Sequence, residues 1–203
     1  KLLQIIKALL FLKKILIQNS MPVDIIKLIE KQRNIPIIGK GNSFEIINKF
    51  NRLISEKYNV IEITLRSDEA LETAIRLKDQ NPNINIGLGS IKSLPMLEEV
   101  FEFKFDFYIS PGINQKMLEF SKTNNILFIP GVSTCSEILT AIEYDFKLLK
   151  YFHAEKNGGP NSLKFLDEIF NEISFIPTGG IHRENMDSYF AIDNVIAVGS
   201  TSF

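Results

Sequence analysis

Short apolar runs alternate along the chain with longer segments whose apolar residues recur every three to four positions. The runs are IPII (35–38), VIEITL (60–65), INIGLG (84–89), DFYIS (106–110), ILFIP (126–130), KLLKYF (147–152), ISFIP (173–177) and VIAVG (195–199), and turn signals follow them. Between them lie SFEIINKFNRLISEK, SDEALETAIRLKDQ, LPMLEEVFEF, INQKMLEFSK, STCSEILTAIEY and NSLKFLDEIF, each with helical periodicity and a charged face. Successive run starts are 20 to 26 residues apart, the length of one βα unit. Eight such units with strands apolar on both sides predict an α/β fold of the (β/α)8 TIM-barrel kind rather than an open doubly wound sheet. The sequence GKGN after the first run lacks the third glycine of a dinucleotide fingerprint and the later acid that would bind a ribose.

Composition narrows the class. The 203 residues are 45% hydrophobic and 23% charged, with a formal net charge of −1, as expected of one globular domain without general attraction to nucleic acid or an anionic membrane. A single cysteine, Cys135, excludes an intrachain disulfide, suits the cytoplasm, and reads as a small packing residue rather than a nucleophile. The opening KLLQIIKALLFLKKILI resembles a targeting segment, but lysines at 7, 13 and 14 interrupt it too often for a membrane span and no A-x-A-like site follows. An amphipathic helix is one reading. The preferred one treats 1–20 as an extra or non-native segment, with a lead-in helix in MPVDIIKLIEKQRN and a single barrel domain over 21–203. That domain ends four residues after the eighth run, so its final helix is expected to be missing and the chain truncated.

Barrels carry function at the C-terminal ends of their strands, and several polar residues fall there. Lys150 interrupts the sixth run between Leu149 and Tyr151. It is either a snorkelling or ion-paired lysine, with Glu155 as the candidate partner, or a lysine held away from water so that its neutral amine can attack a carbonyl. In IEITLR, Glu62, Thr64 and Arg66 alternate and should face the barrel interior, as an ion pair or as a site. The third run ends GLGS, where two glycines before Ser90 would let a ligand approach the backbone. The loops PTGGI and VGSTS after runs seven and eight stand where barrels often bind phosphate. His153 and His182 stand alone, no metal-ligand spacing is present, and His182 reads as a solvated loop or helix-start residue.

The ordered series VIEITLRSDEAL, GLGS, YISPG, FIPGVSTCSE, KYFHAEKNGG and PTGGI resembles the 2-keto-3-deoxy-6-phosphogluconate (KDPG) and 4-hydroxy-2-oxoglutarate (KHG) aldolase family over about residues 21–203. The resemblance implies a cofactor-free, metal-independent homotrimer that cleaves a small keto acid through a Schiff base. It implies Lys150 as the imine-forming residue, Glu62 as general acid and base, and Arg66 with Ser90 as the carboxylate site. Pro111 and Phe152 would wall the pyruvyl group, and Gly179, Gly180, Gly199, Ser200 and Thr201 would take the distal phosphate. The sequence departs from the family pattern with Ser90 for threonine, His153 for proline and Ser200 for glycine. The alternatives are a phosphosugar isomerase or synthase barrel, which needs no buried lysine, and a non-catalytic remnant that binds a keto acid or phosphate.

Overall fold

The computed structural model describes residues 24–203, so the expectations for 1–20 lie outside the described residues. The chain alternates strand and helix almost throughout. The strands are β1 (Asn34–Ile38), β2 (Val60–Thr64), β3 (Asn85–Gly89), β4 (Phe107–Ile109), β5 (Phe128–Ile129), β6 (Gly131–Val132), β7 (Leu148–Phe152), β8 (Ser174–Thr178) and β9 (Val198–Ser200). The helices are α1 (Ile25–Gln32), α2 (Ser43–Ser55), α3 (Ala70–Gln80), α4 (Leu94–Phe101), α5 (Gln115–Thr123), α6 (Cys135–Glu143), α7 (Gly159–Ile169) and α8 (Met186–Phe190). Local sequence sets several starts. Asn42 with Glu45, and Thr134 with Glu137, form reciprocal capping boxes at α2 and α6, and Ser93 caps α4 ahead of Pro95.

All strand pairings are parallel, in the order β5, β4, β3, β2, β1, β9, β8, β7, β6. The two ends of that order meet on one piece of chain, because β5 and β6 are separated only by Pro130. Proline has no N–H to give to the ladder, and its carbonyl instead accepts from the Lys150 N–H at 2.9 Å. The fifth apolar run is therefore one barrel strand in two halves, and its halves bring the sheet round into a barrel of eight staves. The five-residue α8 has no counterpart among the helical segments read from sequence, since it is too short to show a period.

Alternation along each strand sorts the side chains. Ile61, Ile63, Leu88, Tyr108, Leu149, Tyr151 and Phe175 point outward into the two cores shared with the helices. Ile35, Val60, Phe107, Ile109, Ile129, Leu148, Ile176 and Ala197 point inward and fill the lower barrel, closed beneath by Ile29 of α1. Gln32 at the end of α1 bonds the carbonyls of Asn34 and Val60 and accepts from the N–H groups of Asn59 and Val60, which fixes that plug against β1 and β2. Cys135 is exposed at the start of α6 rather than packed inside, because the first turn of that helix faces solvent.

Glycines in β3 make room for larger interior neighbours. A Cβ on Gly87 would lie 2.0 Å from the Phe107 ring, and one on Gly89 would lie 1.8 Å from Glu62 Oε1. These glycines serve side-chain packing, not the approach of a ligand to the backbone. Gly87→Ala should lower stability by about 1–3 kcal/mol through overpacking, whereas Gly112→Ala, with nothing within 4 Å of its added methyl, should stay within about 0.5 kcal/mol. Urea denaturation of the two variants checks this; equal stability would show that the barrel interior is looser than these contacts require.

Candidate active site

Above the apolar lower barrel the interior turns polar. Glu62 and Thr64 on β2, Lys150 and Phe152 on β7, Thr178 on β8 and Gly199 on β9 face the same space, a cavity of roughly 290 Å³ at the C-terminal strand ends. Lys150 Nζ lies 3.7 Å from Glu62 Oε1, with the two side chains only 6% and 2% exposed. Glu62 Oε1 makes no hydrogen bond with any described residue. Lys150 Nζ also sits 5.0 Å from the centroid of the Phe152 ring. The alternative partners fall away: Glu155 bonds the hydroxyl of Tyr189, and Arg66 turns toward Ser90.

The pair is expensive to bury. At this separation the attraction between opposite charges amounts to about 4 kcal/mol at an effective dielectric constant of 20. Taking each ion out of water costs several kcal/mol, so the pair does not justify itself as a source of stability. Thr64 donates to the Ile38 carbonyl at 3.0 Å and Thr178 to the Ile176 carbonyl at 3.3 Å, so neither hydroxyl proton is directed at the carboxylate.

The rim supplies the remaining groups. Arg66 lies past the end of β2, exposed, and its Nε donates to Ser90 Oγ at 2.8 Å; Ser90 sits just after β3 with φ 65°. Thus Ser90 orients the guanidinium and does not itself line the cavity. Pro111 does not line it either. It packs at the top of the barrel over Gly131, where a Cβ would lie 2.4 Å from the Pro111 carbonyl carbon, and Gly131 is the residue paired with Lys150. Gly179 and Gly180 follow β8 with φ of 104° and 80°, a left-handed turn that side chains would strain.

That turn is held from three sides. The Ala154 and Glu155 N–H groups after β7 donate to the carbonyls of Thr178 and Gly179 at 2.8 and 3.1 Å. Ser200 Oγ donates to the Ile181 carbonyl and accepts from the Ser202 N–H, so this hydroxyl joins the loops after β8 and β9 rather than standing free. Lys49 of α2 donates to the carbonyls of Ile37 and Thr201 at 3.2 and 2.7 Å, and burial, with the Arg52 charge nearby, lowers its pKa. Glu155 accepts from Tyr189, and burial followed by that carboxylate raises the phenol's pKa.

Nine of the eleven residues anticipated from sequence therefore converge on one cavity, with Ser90 and Pro111 just behind it. Thr64 faces the interior as its alternation with Glu62 predicts, whereas sequence reasoning missed Thr178, although the position before GlyGly could have found it. It gave His153 no role and read His182 as a solvated loop or helix-start residue, and both line the mouth. His182 Nδ1 pairs with Glu184 at 2.7 Å. The imidazole of His153 stacks on Phe152 with centroids 3.5 Å apart, and burial, then Lys156, Arg66 and Lys150, lower its pKa.

A parallel barrel with a cavity at the C-terminal ends of its strands, and a lysine buried beside a carboxyl group beneath it, has its polar groups where barrel enzymes carry their active sites. The KDPG and KHG aldolase profile matches residues 23–203. The 2-dehydro-3-deoxy-phosphogluconate aldolase of Pseudomonas aeruginosa is 31% identical over 174 residues, covering 86% of this chain and 79% of its own. The KHG/KDPG aldolase of Escherichia coli is 31% identical over 167 residues, covering 82% and 78%. The crystal structure of the Legionella pneumophila KDPG aldolase, with pyruvate captured as a covalent carbinolamine, superposes with a TM-score of 0.82 at 27% identity, covering 90% of this chain and 87% of that one. The chain belongs to the KDPG and KHG aldolase family.

The energetics of the central pair give a direct test. Glu62→Leu alone should destabilise the fold by about 3–5 kcal/mol by leaving Lys150 uncompensated, while Glu62→Leu with Lys150→Met should be neutral or stabilising by up to about 4 kcal/mol. A double-mutant cycle by urea denaturation reads both. Equal destabilisation by the single and double variants would mean that the pair is structural.

Proposed function

We propose that this chain is a metal-independent class I aldolase of the cytosol that cleaves 2-keto-3-deoxy-6-phosphogluconate to pyruvate and glyceraldehyde 3-phosphate, with 4-hydroxy-2-oxoglutarate, giving pyruvate and glyoxylate, as a second substrate. The observation that carries this reading is the burial of Lys150 and Glu62 side by side, 3.7 Å apart, beneath an open cavity. An isomerase or synthase barrel does not need a lysine inside that strand.

In this mechanism Lys150 passes a proton to Glu62, and the freed amine attacks the C2 carbonyl and forms a carbinolamine. Glu62 gives that proton to the departing hydroxyl, so that water leaves and a protonated imine remains. Removal of the C4 hydroxyl proton breaks the C3–C4 bond; its electrons pass into the imine nitrogen as an enamine, and the aldehyde departs. Glu62 then returns the proton to C3, and hydrolysis releases pyruvate and the free lysine. One carboxylate serves each proton transfer, which suits an oxygen that no protein donor occupies.

Binding follows the same axis. Arg66, held by Ser90, offers its fork to the keto-acid carboxylate. Phe152 walls the pyruvyl group at one side, with Pro111 supporting the strand behind Lys150. The Gly179–Gly180 turn, Gly199 and Thr201 surround the distal phosphate, and Ser200 contributes by tying that loop to Ile181. Exposed Leu139 on α6 and Phe165 and Ile169 on α7 offer apolar surface of the kind a homotrimer would cover.

Coupled assays of cleavage test the assignment. Lys150→Ala should abolish turnover on both substrates, Glu62→Gln should lower kcat by about 10²–10⁴-fold, and EDTA should leave the wild-type rate unchanged. Turnover that survives in Lys150→Ala, or that EDTA removes, would overturn the class I reading.

A further inference from the structure

The proposed chemistry leaves two ionisable side chains at the cavity mouth without a task among the described residues, His182, which pairs with Glu184, and His153, which adjoins both Phe152 and the glycine turn. At one side the His153 ring stacks on Phe152, 3.5 Å between centroids, and Phe152 in turn lies 5.0 Å from Lys150 Nζ. At the other side it reaches the glycine turn, since a Cβ on Gly179 would stand 2.9 Å from its Nδ1. The series Lys150, Phe152, His153, Gly179 thus runs along one wall from the buried amine to the rim. A keto acid bonded at Lys150, with its phosphate at the Gly179–Gly180 turn, would lie along the wall to which this imidazole belongs.

We propose that His153 is a specificity-determining residue that hydrogen-bonds a hydroxyl of the substrate beyond its pyruvyl carbons, and so favours the six-carbon phosphorylated acid over short keto acids. This inference rests on the aldolase function proposed above. The His153 ring has no hydrogen bond to a described residue, and with Nδ1 turned toward Gly179 it is Nε2 that remains for a ligand. Burial, then the positive neighbours Lys156, Arg66 and Lys150, lowers the pKa of this ring and so favours its neutral form. In a neutral imidazole Nε2 either donates or accepts according to the tautomer, and a hydroxyl can answer in either role. The neutral ring lacks the charge that would reward a carboxylate in the same place, such as the one that ends 4-hydroxy-2-oxoglutarate.

The test separates the two ends of the site. Deuterium exchange into the methyl group of pyruvate in D2O needs the amine and the carboxylate but no group beyond the pyruvyl carbons. His153→Ala should therefore leave the exchange rate within about twofold while lowering kcat/KM for cleavage of 2-keto-3-deoxy-6-phosphogluconate about tenfold, mostly through KM, the upper range for one neutral hydrogen bond. His153→Gln, whose amide can still donate and accept, should recover part of that loss. Equal losses in exchange and cleavage, or unchanged cleavage, would overturn the role of His153. Absence of exchange in the wild-type chain would instead sink the aldolase function itself, so the two failures are distinguishable.

Discussion

The structure turns on the burial of Lys150 beside Glu62, 3.7 Å apart, in the middle of a barrel otherwise filled with aliphatic and aromatic side chains. Neither polar group gains stability by leaving water, so the surroundings must hold them in place. Parallel strands on all sides do this, since each interior position is set by a ladder register rather than by a flexible loop. The register that pairs Glu62 with Gly87 also places Gly89 beside the carboxylate, and any side chain there would collide with it. Below, Ile35, Val60, Leu148 and Ile176 keep water from entering beneath the pair. The single open direction is upward, toward the cavity.

What closes that cavity is a set of ties between loops distant in sequence. The segment after β7 donates two N–H groups to the carbonyls of Thr178 and Gly179, the Ser200 hydroxyl reaches Ile181, and Lys49 clasps the carbonyls of Ile37 and Thr201. The glycine turn is thereby fixed relative to the strand that carries Lys150. Preorganisation of this kind matters for a reaction in which one end of a substrate becomes covalently bonded while the other must stay still. It also gives Ser200 a meaning: the hydroxyl that departs from the family's glycine is spent on loop geometry.

Much of this was legible in the sequence, for physical reasons that differ from residue to residue. Eight apolar runs at βα spacing predicted the barrel because burial on both faces leaves a strand no polar side to show, and Lys150 and Glu62 stood out as exceptions to that rule. The split of the fifth strand was written in Pro130, yet its effect on the ladder depends on neighbours that only the folded sheet supplies. The glycines of β3 were misread as room for a ligand, because which side chain crosses the barrel toward them is a matter of register. His153 was noticed as a departure but could not be assigned, since its stacking on Phe152 and approach to Gly179 join residues with no sequence signal linking them.

The central claim is that Lys150 is a nucleophile rather than a buried counter-ion. Reduction with borohydride in the presence of pyruvate, followed by peptide mass spectrometry, tests it without reference to any downstream substrate. A stable pyruvyl adduct is expected on Lys150 alone, absent when Lys150 is replaced by alanine. A folded protein that gains no adduct, or gains it on another lysine, would leave Lys150 without a nucleophilic role.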